Sequence, residues 1–141
     1  MTLFRLTYSF IYLLSFSLLA GCAARDENSE PDDDAMTVVV DFRDVHRCSR
    51  ISPEITITNI PRGTRYYDVR LIEGGEQDRF LGGGTWREDG SGIIPEGALT
   101  RHYTGPCPQQ GKSLTYTYVV SAMESENGQP LEVRLYRLDQ E

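Results

Sequence analysis

Two histidines, His46 and His102, and three cysteines, Cys22, Cys48 and Cys107, are the side chains of this 141-residue chain best suited to acid–base, metal or redox work. Each histidine lies a few residues from a cysteine, so a Cys48–Cys107 cross-link would bring both imidazoles into one neighbourhood. Paired imidazoles can ligate a metal or exchange protons near neutral pH. No third ligand accompanies them. Two surface histidines beside a disulfide is the plainer reading, and neither a metal nor a cofactor is expected.

Gly82-Gly83-Gly84 is the second candidate, because exposed backbone N–H groups can form an anion nest or an oxyanion hole. The competing reading is a flexible connection. No Gly-x-Ser-x-Gly elbow supplies a nucleophile, and Gly90-Ser91-Gly92 lacks the flanking pattern. Asp89-Gly90-Ser91-Gly92 reads as a turn, since the other acids of a calcium loop are out of register. Trp86, just after the glycines, walls a pocket or packs in the core. A hydrolase would need His46 or His102 within hydrogen-bond reach of Glu73 or Ser91.

The N-terminus indicates where these groups work. Arg5 is followed by an apolar stretch that ends Leu18-Leu19-Ala20-Gly21-Cys22. One cation, an apolar core and small residues at its exit are the three parts of a secretory signal. Leu19-Ala20-Gly21-Cys22 fits a lipobox, in which the Cys22 thiol takes a diacylglyceryl group before cleavage ahead of it. A spanning helix is the alternative, but the stretch is short, carries polar interruptions and ends on small residues. Buried acyl chains contribute about 0.8 kcal/mol per methylene, so more than one makes a lasting anchor. Residues 1–21 are therefore expected to be a signal peptide and the mature protein to be tethered to a membrane through Cys22. Neither Ala23 nor Ala24 is the aspartate that often retains lipoproteins at the inner membrane, so the expected place is the outer membrane, facing the periplasm.

Losing residues 1–21 removes Arg5 and no acid, which takes the formal net charge from −7 to −8. So acidic a chain does not suit nucleic acid. Arg25 to Asp34 holds six acids against one arginine and nothing apolar, so residues 22–35 read as a lipidated cysteine followed by a disordered, self-repelling tether. A calcium-binding acidic run would need turn glycines that are absent. Residues 36–141 are then one domain with a modest core, small enough for a cross-link to matter. With Cys22 committed to lipid, Cys48 and Cys107 are the pair that an oxidising compartment would join; two free thiols are the alternative.

The elements that must position these groups are strands. Thr37–Phe42 is β-branched and aromatic, and Ile55–Thr58 alternates strictly. Tyr66–Ile72 puts Tyr67, Val69 and Leu71 on one face, Leu114–Val120 puts Leu114, Tyr116, Tyr118 and Val120 on one side, and Leu131–Leu135 alternates again. Between them Pro61-Arg62-Gly63-Thr64 reads as a hairpin-like turn, and Gly74-Gly75 with Gly82-Gly83-Gly84 brackets a loop. The pattern predicts an all-β domain, a sandwich of two antiparallel sheets with little helix.

Ser52-Pro53-Glu54-Ile55, Ile60-Pro61-Arg62-Gly63-Thr64, Tyr103-Thr104-Gly105-Pro106-Cys107-Pro108 and Tyr116–Ala122 follow one another in an order that resembles the bacterial branch of the phosphatidylethanolamine-binding protein (PEBP) family, also called Raf kinase inhibitor-like proteins. Gly105–Pro108 is the most specific part. The resemblance implies a β-sandwich with a small anion pocket at one end, in a family whose members bind phospho-headgroups or inhibit kinases or proteases. Glu73 falls where the family has the first aspartate of Asp-Pro-Asp-Ala-Pro, and Tyr103 matches the tyrosine ahead of the Gly-Pro loop. The family's pocket histidines have no counterpart, since Leu81–Gly84 and Leu114-Thr115-Tyr116 stand in their places.

The expectation is a non-catalytic, lipid-anchored periplasmic binding domain with a diverged pocket built from Glu73, Trp86, Tyr103, Gly105 and Pro106. Its partners would be the membrane, through the anchor, and a small molecule or an envelope protein. Glu73 in the pocket favours a neutral or cationic ligand over phosphate. An envelope structural protein or inhibitor acting through its surface is the alternative, and a hydrolase is the third reading.

Overall fold

Period-two alternation becomes strand pairing wherever one face can be buried. The computed structural model describes residues 33–141, which form one unit. The signal segment, Cys22 and the acidic tether as far as Asp32 lie outside the described residues. Strands β1 (Thr37–Asp41), β2 (Glu54–Thr58) and β5 (Ile93–Ile94) make an antiparallel sheet in the order β1-β2-β5. Strands β3 (Tyr66–Glu73), β4 (Arg79–Arg87), β6 (Leu114–Met123) and β7 (Pro130–Gln140) make a second, in the order β4-β3-β6-β7 and antiparallel throughout. The one helical piece among the described residues is a 3-10 turn at Asp44–His46. This is the expected two-sheet, mainly β architecture.

The core lies between the sheets. Val40, Ile55, Ile57 and Ile94 from the small sheet meet Tyr67, Val69, Leu71, Tyr116, Tyr118, Val120 and Ala122 from the large one, with Met36, Leu99 and Tyr103 filling from the connections. Burying side chains of this size contributes about 1.5–3 kcal/mol each, offset by the entropy of ordering the chain. Four buried tyrosines need places for their hydroxyls, and three find a partner. Tyr103 and Tyr118 satisfy each other at 2.8 Å, and Tyr67 donates to Glu88.

Three expectations change. Pro61–Thr64 is a turn, with Thr64 N–H donating to Pro61 O at 3.2 Å, but it carries the chain from β2 in one sheet to β3 in the other and closes no hairpin. Gly82-Gly83-Gly84 is neither a nest nor a loose connection but the middle of β4, buried and paired with β3. Gly83 N–H donates to Arg101 O at 3.0 Å and its carbonyl accepts from Arg101 N–H at 2.9 Å, so these backbone groups are already used. A Cβ on Gly83 would stand 1.9 Å from Val69 O, and Gly82, at φ +98°, has the backbone of His102 2.4 Å from where a Cβ would be. Only glycine permits that approach and that left-handed turn, which sits where the β3–β4 register shifts. Finally, β7 alternates as expected, but Leu131, Val133 and Leu135 face outward while Glu132 and Arg134 face inward.

Candidate ligand cleft

Glu73 ends β3, and its cross-strand partner is Arg79 at the start of β4. Arg79 Nη2 donates to Glu73 Oε2 at 3.0 Å and is ion-paired with Oε1 at 2.9 Å. Glu73 is the inner member, 15% exposed at its side chain against 64% for Arg79. On the other flank Glu73 pairs with Tyr116 of β6. The Tyr116 hydroxyl is buried and makes no hydrogen bond of good geometry among the described residues, although the Glu73 carboxylate and the Cys107 backbone are its polar neighbours. Burial, with Glu73 adding to it, pushes the phenol up to about 12.

The cleft around this pair is closed by the β3–β4 loop and the segment before β6. It has a volume of about 420 Å³, and its polar walls are Glu73, Gln77, Arg79, Gln109 and Lys112, with Leu114 and Cys107 as neighbours. One side is fixed by covalent chemistry. Cys48 and Cys107 are disulfide-bonded with Cα atoms 4.6 Å apart, as the compartment argument expects. Cys48 N–H donates to Pro106 O at 2.9 Å and Gly105 N–H to Ser49 O at 2.7 Å, so Gly105, Pro106 and Cys107 are each tied to Cys48 or Ser49.

The structure disperses the other expected pocket residues. Gly105 and Pro106 are buried in that tie. Tyr103 is buried with its hydroxyl on Tyr118, and it borders a separate, smaller cleft of about 370 Å³ shared with Arg50, Thr100, His102 and Thr104. Burial raises Tyr103 to about 12 and Tyr118 further, although the bond between them favours the Tyr103 phenolate. Trp86 pairs with Tyr67 at the opposite end of β3 from Glu73, packs against the core, and buries an indole N–H with no partner among the described residues. Conversely Arg79, Gln77 and Lys112 were not expected in the cleft. Their signal was the spacing of Arg79 from Glu73, which means nothing until β4 is recognised as a strand.

The histidines differ in setting, and one of the two expected at the surface is not there. His46 is fully buried; its Nδ1 accepts from the Arg43 N–H at 2.9 Å, which leaves the ring proton on Nε2, 3.4 Å from Glu96 Oε1. Arg43 holds the other oxygen of Glu96 at 2.5 Å. His102 is exposed at φ 54°. Neither hydrogen-bonds Glu73 or Ser91, and the Ser91 hydroxyl donates to Asp89 at 2.6 Å in the expected turn, holding the Asp89 carboxyl below its usual range. No three His, Cys, Asp or Glu side chains converge as a metal site among the described residues.

No protein-family model and no curated protein sequence matches the chain. Among solved structures it is similar to the crystal structure of E. coli YbcL, described as a new member of the mammalian PEBP family, with a TM-score of 0.59 and 14% identity over 75% of this chain and 98% of that one. The two antiparallel sheets thus make up a PEBP-like fold.

Proposed function

We propose that this chain is a non-catalytic binding domain held at the periplasmic face of the outer membrane through Cys22, and that it takes a small polar ligand in the Glu73–Cys107 cleft. The observation that carries the reading is the convergence of Glu73, Gln77 and Gln109 on one cleft whose wall is fixed by a disulfide. A fixed wall lowers the ordering cost of binding. Glu73 is the innermost charge, so the end of the ligand that enters first is uncharged or cationic; Arg79 and Lys112 stand at the rim. A phosphate would have to sit against Glu73, whose own cation lies outside it.

The non-catalytic reading is supported by partners that several candidate groups already have, and by the lack of a hydrogen bond from either histidine to Glu73 or Ser91 among the described residues. His46 is spent on the Arg43 N–H and Glu96, Ser91 on Asp89, and Gly83 on Arg101. The anchor is supported by Leu19–Cys22 and is tested by palmitate labelling of the chain and of Cys22→Ala, which should neither label nor remain with membranes. Thermal-shift and calorimetric titration with ethanolamine, phosphoethanolamine, inorganic phosphate and glycerol test the cleft. Stabilisation by ethanolamine or glycerol that disappears in Glu73→Gln is expected, whereas preferential stabilisation by phosphate would overturn the assignment.

A further inference from the structure

Strand β7 is an outer strand of the large sheet, bonded to β6 along one edge. Along its other edge it makes no backbone–backbone hydrogen bond among the described residues. It is eleven residues long and shows solvent an apolar stripe, with Leu131 43%, Val133 39% and Leu135 52% exposed. On its inner side Glu132 accepts from the Met36 N–H at 3.1 Å, Arg134 donates to Met36 O at 2.8 Å, and the two are ion-paired at 2.6 Å. An open edge beside an apolar stripe is a template for another strand.

We propose that β7 pairs antiparallel with β7 of a second copy about a two-fold axis through Val133, joining two four-stranded sheets into one of eight strands. The charges select this register. A two-fold axis normal to the sheet keeps the outward faces of both copies on the same side, so outward residues must stand opposite outward ones and inward opposite inward. Centring on Glu132 or on Arg134 puts like charges opposite each other. Centring on Leu135 sets Val133 against Arg137, centring on Tyr136 sets it against Asp139, and centring on Leu131 brings Pro130, which has no N–H, next to the axis. Centring on Val133 places Leu131 opposite Leu135, Val133 opposite itself and Glu132 opposite Arg134. The inward charges that would keep a foreign strand away become complementary in that arrangement.

A second observation agrees with the first. Met36 is bonded to the two residues flanking the axis, so both chains enter their sandwiches beside it and on the same face of the joined sheet. Two copies held at their N-termini by one surface can therefore pair without turning away from it. A single strand pair buries less than a standard interface, so association should depend on concentration and be strengthened by a shared tether. The pairing does not depend on the ligand cleft.

Oxidative cross-linking of the full chain, in single-cysteine substitutions on the Cys48–Cys107 background, reads the register directly. Val133→Cys should give about tenfold more covalent dimer than Leu131→Cys or Leu135→Cys alone, while a mixture of the last two should cross-link, because only residues opposite each other bring their Cβ atoms close. Glu132→Arg should abolish the Val133→Cys product, and Glu132→Arg with Arg134→Glu should restore it in a chain whose circular dichroism is unchanged. Equal yields at all three positions, no product from a folded Val133→Cys chain, or failure of the charge swap to restore it, would each overturn the proposal.

Discussion

The two edges of the large sheet are finished in opposite ways. The β4 edge is covered: Arg101 exchanges backbone hydrogen bonds with Gly83, and Thr104 N–H reaches Leu81 O at 2.9 Å, so a connecting segment acts as an extra half-strand. Among the described residues the β7 edge carries no such cover and turns Leu131, Val133 and Leu135 outward. Glycine makes the first arrangement possible, because only a strand without side chains lets the covering backbone and the neighbouring strand come so close. The edge that looks weaker in composition is thus the more tightly fastened, and the one that looks like an ordinary strand is open.

If the β4 cover is fastened mainly by the disulfide behind it, opening that bridge should have the largest effect. Cys48→Ser with Cys107→Ser should cost about 4 kcal/mol on the loop-entropy estimate for the 59-residue separation, read as a lower urea midpoint, with β7 cross-linking unaffected under conditions where the chain is still folded. Gly83→Ala should follow, at about 3 kcal/mol, because its Cβ has no room against Val69 O and both the β3 ladder and the Arg101 pairing must give. A Gly83→Ala chain as stable as the parent would mean that the cover is incidental.

Alkaline pH strikes the covered side next. Tyr103 in the cover and Tyr116 are held up to about 12, and Tyr67 and Tyr118 are raised further, with burial the first cause in each. Between the unfolded value near 10 and these folded values the native state keeps protons that the unfolded chain has lost. Stability is therefore fully present below about pH 10 and falls as pH rises, by about 1 kcal/mol or more per unit. Urea midpoints at pH 8, 10 and 11 check the slope, and tyrosinate absorbance from these four rings should appear together with unfolding rather than before it. Tyr118→Phe isolates one contact under the cover: it strands the Tyr103 hydroxyl and should cost about 1–2 kcal/mol, whereas adding Tyr103→Phe should recover most of that loss.

Legibility in the sequence followed the same division. Strands with side chains to alternate, such as Tyr66–Ile72 and Leu114–Val120, could be read directly, and so could the disulfide and the turn at Asp89. β4 could not, because Gly82–Gly84 carries no β signal and becomes a strand only when the distant 101–104 segment closes over it. That miss propagated to the cleft: Glu73 could be placed at the end of its strand, but Arg79, its partner across the β3–β4 pair, could not, and Trp86, left open as a pocket wall or a core residue, packs against the core at the far end of the strand. For β7 the alternation was plain, but alternation alone does not say which face turns inward. Met36 decides it by bonding to Glu132 and Arg134, and no spacing in the sequence announces that contact.

The smallest predicted effect tests the open edge. Leu135 lies on the outward face of β7, 52% exposed, so shortening it leaves no cavity and strands no polar group. A β-branched residue also suits an exposed strand. Leu135→Thr should therefore change the urea midpoint by less than about 0.5 kcal/mol, the ordinary range for surface substitutions. The same substitution on the inner face, Leu71→Thr, would bury an unpartnered hydroxyl in a fully enclosed site and should cost several times more. If Leu135→Thr instead destabilised the isolated chain by 2 kcal/mol or so, the outward stripe would be packed against something within the same molecule, and the contrast between the two edges would fail.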